Sequence, residues 1–139
     1  MATIKSYTDI EQSKKLAEIL PIESADMRFC YSHTLDGRVT GHYPMIGREP
    51  SMGTTPCWSL AALLNVLPAD YIAHKHYFLE ISKMGDNTKP YKICYFRFRE
   101  QSDGADFGRI THISFQSDNF VDACVEMIIK LHEQKHLKL

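Results

Sequence analysis

The chain lacks the features that would place it in several large classes of protein. It has no apolar run near the roughly 18 residues that a membrane-spanning helix needs, and its first residues lack the apolar segment of a secretory signal. It also lacks an excess of either charge, because 16 Lys and Arg stand against 17 Asp and Glu, a net charge of −1. Since proteins that bind duplex nucleic acid usually carry a basic excess, neither a membrane nor a nucleic acid is the expected partner.

The chain has four cysteines, and none of them belongs to a C-x-x-C pair. Cys30, Cys57, Cys94 and Cys124 each lie in an apolar-rich segment, where a free cysteine packs as a small hydrophobic residue. Four such thiols without a signal segment predict a reducing, cytoplasmic location rather than a disulfide scaffold. Sequence signatures for nucleotide phosphates, zinc proteases and calcium loops are also missing, so we expect no cofactor.

The composition that remains is typical of one globular domain spanning residues 1–139. Hydrophobic residues make up 44% of the chain and charged residues 24%, which excludes disorder as its main state. A domain of this length buries enough surface to form a core without disulfides or metals. No repeat, linker or low-complexity tract divides it.

Local signals predict three helices and about five strands. The capping-box pattern from Thr8 to Glu11 opens a first helix over 9–20, and Asp36-Gly37 predicts a type I′ turn between strands 27–35 and 38–46. Thr55 and Pro56 predict the cap and first residue of a second helix that Pro68 ends. Strands are expected over 71–83, 91–99 and 109–115, and a last helix from Ser117 or Asp118 to about 134.

The resulting order is α-β-β-α-β-β-β-α. Sequential hairpins favour a mostly antiparallel sheet, and three amphipathic helices need one face of that sheet to cover them. We therefore predict a two-layer α+β fold, with a sheet of about five strands and three helices packed mainly on one face.

The Cys57-Trp58 dipeptide is the feature most suggestive of catalysis. In the first turn of the predicted second helix, the thiol would lie in a positive potential that lowers its pKa. Papain-like hydrolases begin a helix with Cys-Trp, and His112 followed by Asp118 or Asn119 repeats their order of nucleophile, base and orienting group. However, a proline precedes the cysteine, and no glutamine stands at the spacing of an oxyanion donor. A cysteine hydrolase is therefore the alternative to a simple packing role for Cys57.

Two pairs of histidines have the spacing of metal ligands. His74 and His76 would share one face of a strand, and His132 and His136 are one helical turn apart. Neither pair has an evident third ligand nearby, so we predict no metal site.

Alternation along 91–99 predicts a sheet face suited to binding. Cys94, Phe96 and Phe98 are assigned to the inner face, and the other face holds Tyr91, Ile93, Tyr95, Arg97 and Arg99. If Tyr77, Leu79 and Ile81 also point inward, the outer face gains His74, His76, Phe78 and Glu80. Aromatic and arginine side chains are enriched in interface hot spots. We therefore expect Tyr91, Tyr95, Arg97 and Arg99, with His74 and His76 beside them, to bind a protein partner or a second copy of the chain. An ordinary amphipathic sheet face remains the alternative.

Two motifs carry a family resemblance, the segment from Trp58 to Pro68 and the segment from Asp122 to Ile128. With them, the layout of about 7–137 resembles small uncharacterised proteins carried by phages, prophages and other mobile elements of Bacteroides-type bacteria. In similar proteins the residue before the tryptophan is often small and apolar, which favours a packing role for Cys57. The resemblance implies a cytoplasmic accessory protein of a mobile element, and we expect it to act through protein contact rather than catalysis.

Overall fold

The computed structural model describes residues 5–47, 54–85, 88–100, 103–104 and 108–137. Their elements, in chain order, are α1 (Ile10–Ala17), β1 (Met27–His33), β2 (Val39–Ile46), β3 (Thr55–Cys57), α2 (Leu60–Val66), β4 (Asp70–Ala73), β5 (Lys75–Lys83), β6 (Tyr91–Phe98), β7 (Arg109–Ser117) and α3 (Phe120–Glu133). The predicted α+β class is confirmed. Instead of about five strands in one sheet, these residues form seven strands in two antiparallel sheets.

The larger sheet, with strand order β4-β5-β6-β7, contributes one side of the hydrophobic core. Helix α3 packs against β6 and β7, and α2 packs against α3. Seven of the 14 residues of α3 are buried, which matches the apolar spacing that predicted it. No helix in the described ranges combines the length and the apolar character that crossing a bilayer requires.

The smaller sheet, with order β2-β1-β3, begins with the predicted hairpin, but its turn differs from the prediction. Gly37 has a positive φ of 85°, whereas Asp36 does not have a positive φ, so the turn is not type I′. The Gly37 amide donates to the Thr34 carbonyl, and the Thr34 amide donates to the Arg38 carbonyl. This is a three-residue loop in which one left-handed glycine ends the turn.

The predicted strand 71–83 is two strands joined by a very tight turn. Ala73 of β4 lies opposite Lys75 of β5, and His74 between them has a φ of 62°. A left-handed residue at this point is normally glycine or asparagine, so the sequence contains no turn signal here.

The second helix begins later than predicted, and Cys57 is not part of it. Ser59 is the N-cap and accepts from the Ala62 amide, while the Ser59 amide donates to Asp26 Oδ1 at 2.9 Å. Because Asp26, from a distant segment, binds the Ser59 amide, the helix starts after Ser59 and not after Thr55. Pro56 then lies in the short strand β3, where a missing amide proton is tolerated at a sheet edge.

The other two helices also begin one residue or more after the predicted cap. The capping box of α1 joins Asp9 and Gln12, and Thr8 is buried, with its hydroxyl bonded to Ser13 at 2.7 Å. The N-cap of α3 is Asn119, whose side chain accepts from the Asp122 amide. A serine, threonine or aspartate beside the true cap produces the same sequence signal, which explains these shifts.

Candidate functional site

Cys57 has the environment of a packing residue. It is fully buried, and its Sγ lies 3.6 Å from both the hydroxyl and the carbonyl oxygen of Thr8. Burial raises the pKa of the Cys57 thiol, although hydrogen bonds from Thr8 and Ser13 act in the opposite direction. A nucleophilic cysteine needs the reverse, an accessible thiol with a lowered pKa.

The proposed partners of Cys57 make their contacts elsewhere. His112 lies on β7 of the larger sheet, where its Nδ1 is hydrogen-bonded to the Tyr71 hydroxyl. Asn119 caps α3, and its side-chain amide donates to Asp118 at 3.1 Å. None of the hydrogen bonds recorded in the described part of the chain joins Cys57 to these residues.

The predicted binding residues of β6 lie on the wrong side of the strand. Tyr95 is fully buried, and its hydroxyl donates to the Pro68 carbonyl at 2.6 Å. Tyr91 packs on Phe120 of α3, with the ring centroids 4.4 Å apart. Tyr95 therefore belongs to the core, and the face assigned to β6 was inverted because both of its faces are aromatic and apolar.

The two arginines at the end of β6 also differ from the prediction. Arg97 makes two hydrogen bonds with Asp103, at 2.6 and 2.9 Å, and the carboxylate raises the pKa of the guanidinium. Only Arg99 is exposed. Arg97 thus anchors the loop at 103 rather than presenting a free cation.

The side of the larger sheet away from α3 is the exposed one, and we call it the open face. Register places Phe78 opposite Phe96 and Glu80 opposite Cys94, so these four side chains share it. Its other members from the described strands are Asp70, Ile72, His76, Ser82, Lys92, Phe98, Arg109, Thr111, Ser114 and Gln116. The exposed fractions are 75% for Ile72, 64% for Phe98 and 43% for Phe78, so an apolar, aromatic surface meets solvent here. The outward assignment of His76, Phe78 and Glu80 is confirmed.

Two of the charges on the open face form an ion pair within the chain. Glu80 accepts from Arg109 at 2.6 Å, and this hydrogen bond lowers the pKa of the Glu80 carboxyl. The Arg109 guanidinium also lies 3.6 Å from the centroid of the Phe96 ring. Asp70 and His76 are 2.6 Å apart at the other side of the face. The open face therefore presents flat apolar groups beside two bonded pairs, Glu80 with Arg109 and Asp70 with His76.

A second cluster, on the opposite side of the sheet, was missed entirely. We call it the ring cluster: Tyr71, Tyr77, Tyr95, His112 and His136. The ladder between β6 and β7 shifts register, because Tyr95 pairs with Ile113 and Phe96 with Thr111. His112 is the extra residue of this bulge, which turns it toward the helices beside Ile113. The members of the ring cluster come from positions 71 to 136, so no local sequence pattern could have predicted that their side chains are in contact.

The histidine pairs do not form as predicted. His74 is the turn residue between β4 and β5, and His76 bonds to Asp70 on the open face. His136 lies beyond the end of α3 and stacks on Tyr71 instead of following His132 on the helix. Within the described ranges, no group of three or more His, Cys, Asp or Glu is arranged to hold a metal ion.

Searches of protein-family models, curated proteins and solved structures found no match to this chain. Family membership therefore contributes nothing to the functional argument. The larger sheet carries the open face on one side and the ring cluster on the other, and these two features are the candidate functional sites.

Proposed function

We propose that the protein acts through protein–protein contact, as a self-associating module whose interface is the open face of the larger sheet. One observation carries this proposal: Ile72, Phe78 and Phe98 expose large apolar side chains together on one sheet surface. Contiguous exposed apolar patches on soluble proteins are characteristic of interaction sites. Aromatic side chains with an arginine beside them are the types enriched at interface centres.

The distribution of charge favours a second copy of the chain as the occupant. The acidic residues of the open face, Asp70 and Glu80, lie on β4 and β5, and the basic residues, Lys92 and Arg109, lie on β6 and β7. A two-fold axis parallel to the strands would place the acidic half of one face over the basic half of the other. Such self-complementarity is what an isologous dimer requires, and aligned stacking of two sheets is a common arrangement.

The open face is large enough for such a contact. Four strands at about 4.8 Å spacing and a nine-residue β5 at about 3.4 Å per residue give roughly 19 by 30 Å. Because side chains project from the sheet, the accessible surface of this face is larger than the area of that rectangle. It approaches the roughly 800 Å² of accessible surface that each partner buries in a standard interface. Because the Arg109–Glu80 ion pair is already formed within the chain, covering it leaves neither of these two charges without a partner.

The wider biological setting that we propose is a cytoplasmic accessory protein of a mobile element, without catalysis. All four cysteines are free thiols and three are buried, which suits a reducing compartment. Cys57, the one residue suggested as a nucleophile, is fully buried, which supports a non-catalytic role.

Phe98→Glu tests the interface directly. We expect the wild-type protein to sediment as a dimer and Phe98→Glu as a monomer, because a carboxylate would be buried in an apolar contact. Leu35→Glu is the matched control, since Leu35 is a fully exposed apolar residue in the turn of the other sheet. It should remain dimeric. A monomeric wild type at 100 µM, or equal loss of the dimer in both variants, would contradict the proposal.

Exchanging charges on the open face tests how the two copies are oriented in the proposed dimer. Asp70→Lys and Arg109→Glu should each weaken the dimer, by roughly tenfold in Kd if two contacts are lost, because the proposed axis places β4 of one copy over β7 of the other. The double variant should recover the affinity, because the charges of these two outer strands are then exchanged on both copies. Recovery would fail if like strands faced one another, since the double variant would still oppose like charges. Near-ultraviolet circular dichroism confirms that each variant is folded.

A further inference from the structure

The chain folds back sharply after α3. The Lys135 amide donates to the His132 carbonyl at 3.1 Å, and the His136 amide donates to the Leu131 carbonyl at 2.8 Å. With Lys135 at a φ of 62°, this is the Schellman arrangement that ends many helices. As a result residues 135–137 return toward the sheet, where Leu137 packs against the core.

His136 attaches this segment to the sheet through one tyrosine. Its ring stacks on Tyr71 with the centroids 4.3 Å apart and the planes 14° apart. The hydroxyl of the same tyrosine is hydrogen-bonded to His112 Nδ1, and His112 also stacks on Tyr77 at 4.5 Å. The centroids of the two imidazoles are 6.3 Å apart. Tyr71 therefore holds two titratable rings close together, one from the sheet and one from the returning segment.

We propose that the ring cluster is a pH-operated latch, in which two neutral imidazoles keep residues 135–137 on the sheet and protonation of both releases them. The two rings approach more closely than the Debye length of about 8 Å at physiological salt, so solvent ions screen them from one another only in part. One proton is tolerated, because a cation over the Tyr71 ring is attracted to its face. A second proton places like charges together, and the short segment after α3, which is not part of the strand ladder, is the part that moves.

The groups around the cluster do not offset this repulsion. β4, β5 and β6 contribute the phenols of Tyr71, Tyr77 and Tyr95, and burial raises the pKa of Tyr71 and Tyr95, which keeps both neutral. Arg97 of β6 is engaged by Asp103.

The returning segment adds the exposed Lys135, and the end of α3 carries Glu133, whose carboxylate lies 3.9 Å from Lys130 Nζ. Asp70 of β4, whose charge helps to raise the pKa of Tyr95, is hydrogen-bonded to His76 at 2.6 Å on the open face. The groups recorded around the imidazoles are thus neutral, basic or already paired, and each added proton increases the positive charge there.

The direction of the pH dependence follows from His112. Burial, and then the neighbouring His136, lower the pKa of His112 below its ordinary 6.5. The open form therefore binds protons more readily than the closed form. The latch is fully closed above about pH 6.5, and it opens as the pH falls through the lowered value for His112.

Amide exchange measured by NMR at pH 7.5 and pH 5.0 tests the latch. We expect the His136 and Leu137 amides to lose at least tenfold in protection, after correction for the intrinsic rate, while the core amides of α3 keep theirs. His136→Phe keeps the stack but cannot be protonated, so it should stay closed at pH 5.0. His112→Gln removes the opposing imidazole and should also stay closed. His132→Phe is the matched control on the exposed side of α3, and it should open as the wild type does.

Three results would overturn the latch. One is equal protection of residues 136–137 at both pH values in the wild type. Another is opening of His112→Gln to the same extent as the wild type, which would exclude repulsion between the imidazoles as the cause. The third is loss of protection throughout α3 at pH 5.0, which would mean global unfolding instead of local release.

Discussion

The two sheets have strands of similar length, but they contribute unequally to the core. Across β1, β2 and β3 only Phe29 and Cys57 are buried, whereas six strand residues are buried across β4 to β7. Phe29 packs on Tyr7 and His42 rather than on the main cluster. The larger sheet is therefore the stable platform, and the smaller sheet is the region from which local opening should start.

The sheets also differ in how they meet solvent. The smaller sheet exposes β2 as an edge strand, where Val39, Tyr43 and Met45 are exposed. The Gly47 amide donates to the Asp26 carbonyl, so these two residues form a hydrogen-bonded pair at the end of the β1–β2 ladder. Bonded and non-bonded pairs alternate along antiparallel strands, and Phe29 and Pro44, three positions further on, are therefore a non-bonded pair. Pro44 therefore faces the free edge, where its missing amide proton hinders the addition of another strand.

This difference separates two kinds of exposed apolar surface. The edge of the smaller sheet is apolar but interrupted by proline, which protects it against pairing. The open face of the larger sheet has its ion pairs satisfied and its aromatic residues uncovered. We therefore expect association through the face of the larger sheet, and not through the edge of the smaller one.

Trp58→Ala should have the largest effect, because Trp58 joins the two regions. It follows β3 directly, is fully buried in the main cluster, and its Nε1 donates to Ser24 at 2.9 Å. We expect a loss of about 3–5 kcal/mol in the free energy of unfolding, measured in urea by circular dichroism. Trp58→Phe should cost less, since it retains most of the packing. A loss below about 1 kcal/mol for the alanine variant would show that the two sheets are not joined through this residue.

An isoleucine in each sheet gives the most direct comparison. Ile93 of β6 is fully buried, whereas Ile46 of β2 is almost fully exposed. Ile93→Ala should destabilise the protein by about 2–5 kcal/mol, and Ile46→Ala should change its stability by less than about 0.5 kcal/mol. Urea unfolding of both variants measures the difference. Equal losses would mean that β2 is packed as tightly as β6.

The sequence predicted most elements because their signals are local. Helix caps, the Asp36-Gly37 turn and the apolar spacing of α3 depend on a few neighbouring residues, and they located these elements to within a few positions, although the turn is not of the predicted type. The turn at His74 was missed because that residue has no turn preference. The orientation of β6 was missed because Tyr95 and Phe96 are equally suited to either face, and only the contact of Tyr95 with Pro68 and the helices decides it. The ring cluster depends on a bulge at His112, which a single sequence does not reveal.

A tyrosine in each sheet allows the contribution of a side-chain hydrogen bond to stability to be compared between the two sheets. The buried hydroxyl of Tyr95 donates to the Pro68 carbonyl, whereas Tyr43 of β2 is exposed. Tyr95→Phe should cost about 1 kcal/mol, because it leaves a carbonyl without its partner in a poorly solvated place. Tyr43→Phe should be close to neutral in the same urea titration. If Tyr95→Phe were also neutral, solvent must reach the Pro68 carbonyl, and this part of the larger sheet would be more hydrated than the burial of Tyr95 indicates.

The two tight turns should respond to substitution in opposite directions. Gly37 in the turn of the smaller sheet has a φ of 85° with open space around its Cα, so Gly37→Ala should destabilise through backbone strain alone, by about 1 kcal/mol. His74 in the turn of the larger sheet has a φ of 62° although it carries a side chain, so His74→Gly should stabilise by up to about 1 kcal/mol. Thermal unfolding of both variants, with the exposed His33→Gly as a control for the loss of an imidazole, separates strain from side-chain effects. The prediction fails if His74→Gly lowers the Tm as much as the control does. That outcome would mean that the larger sheet bears no strain at this turn, and that the two hairpins differ only in their packing.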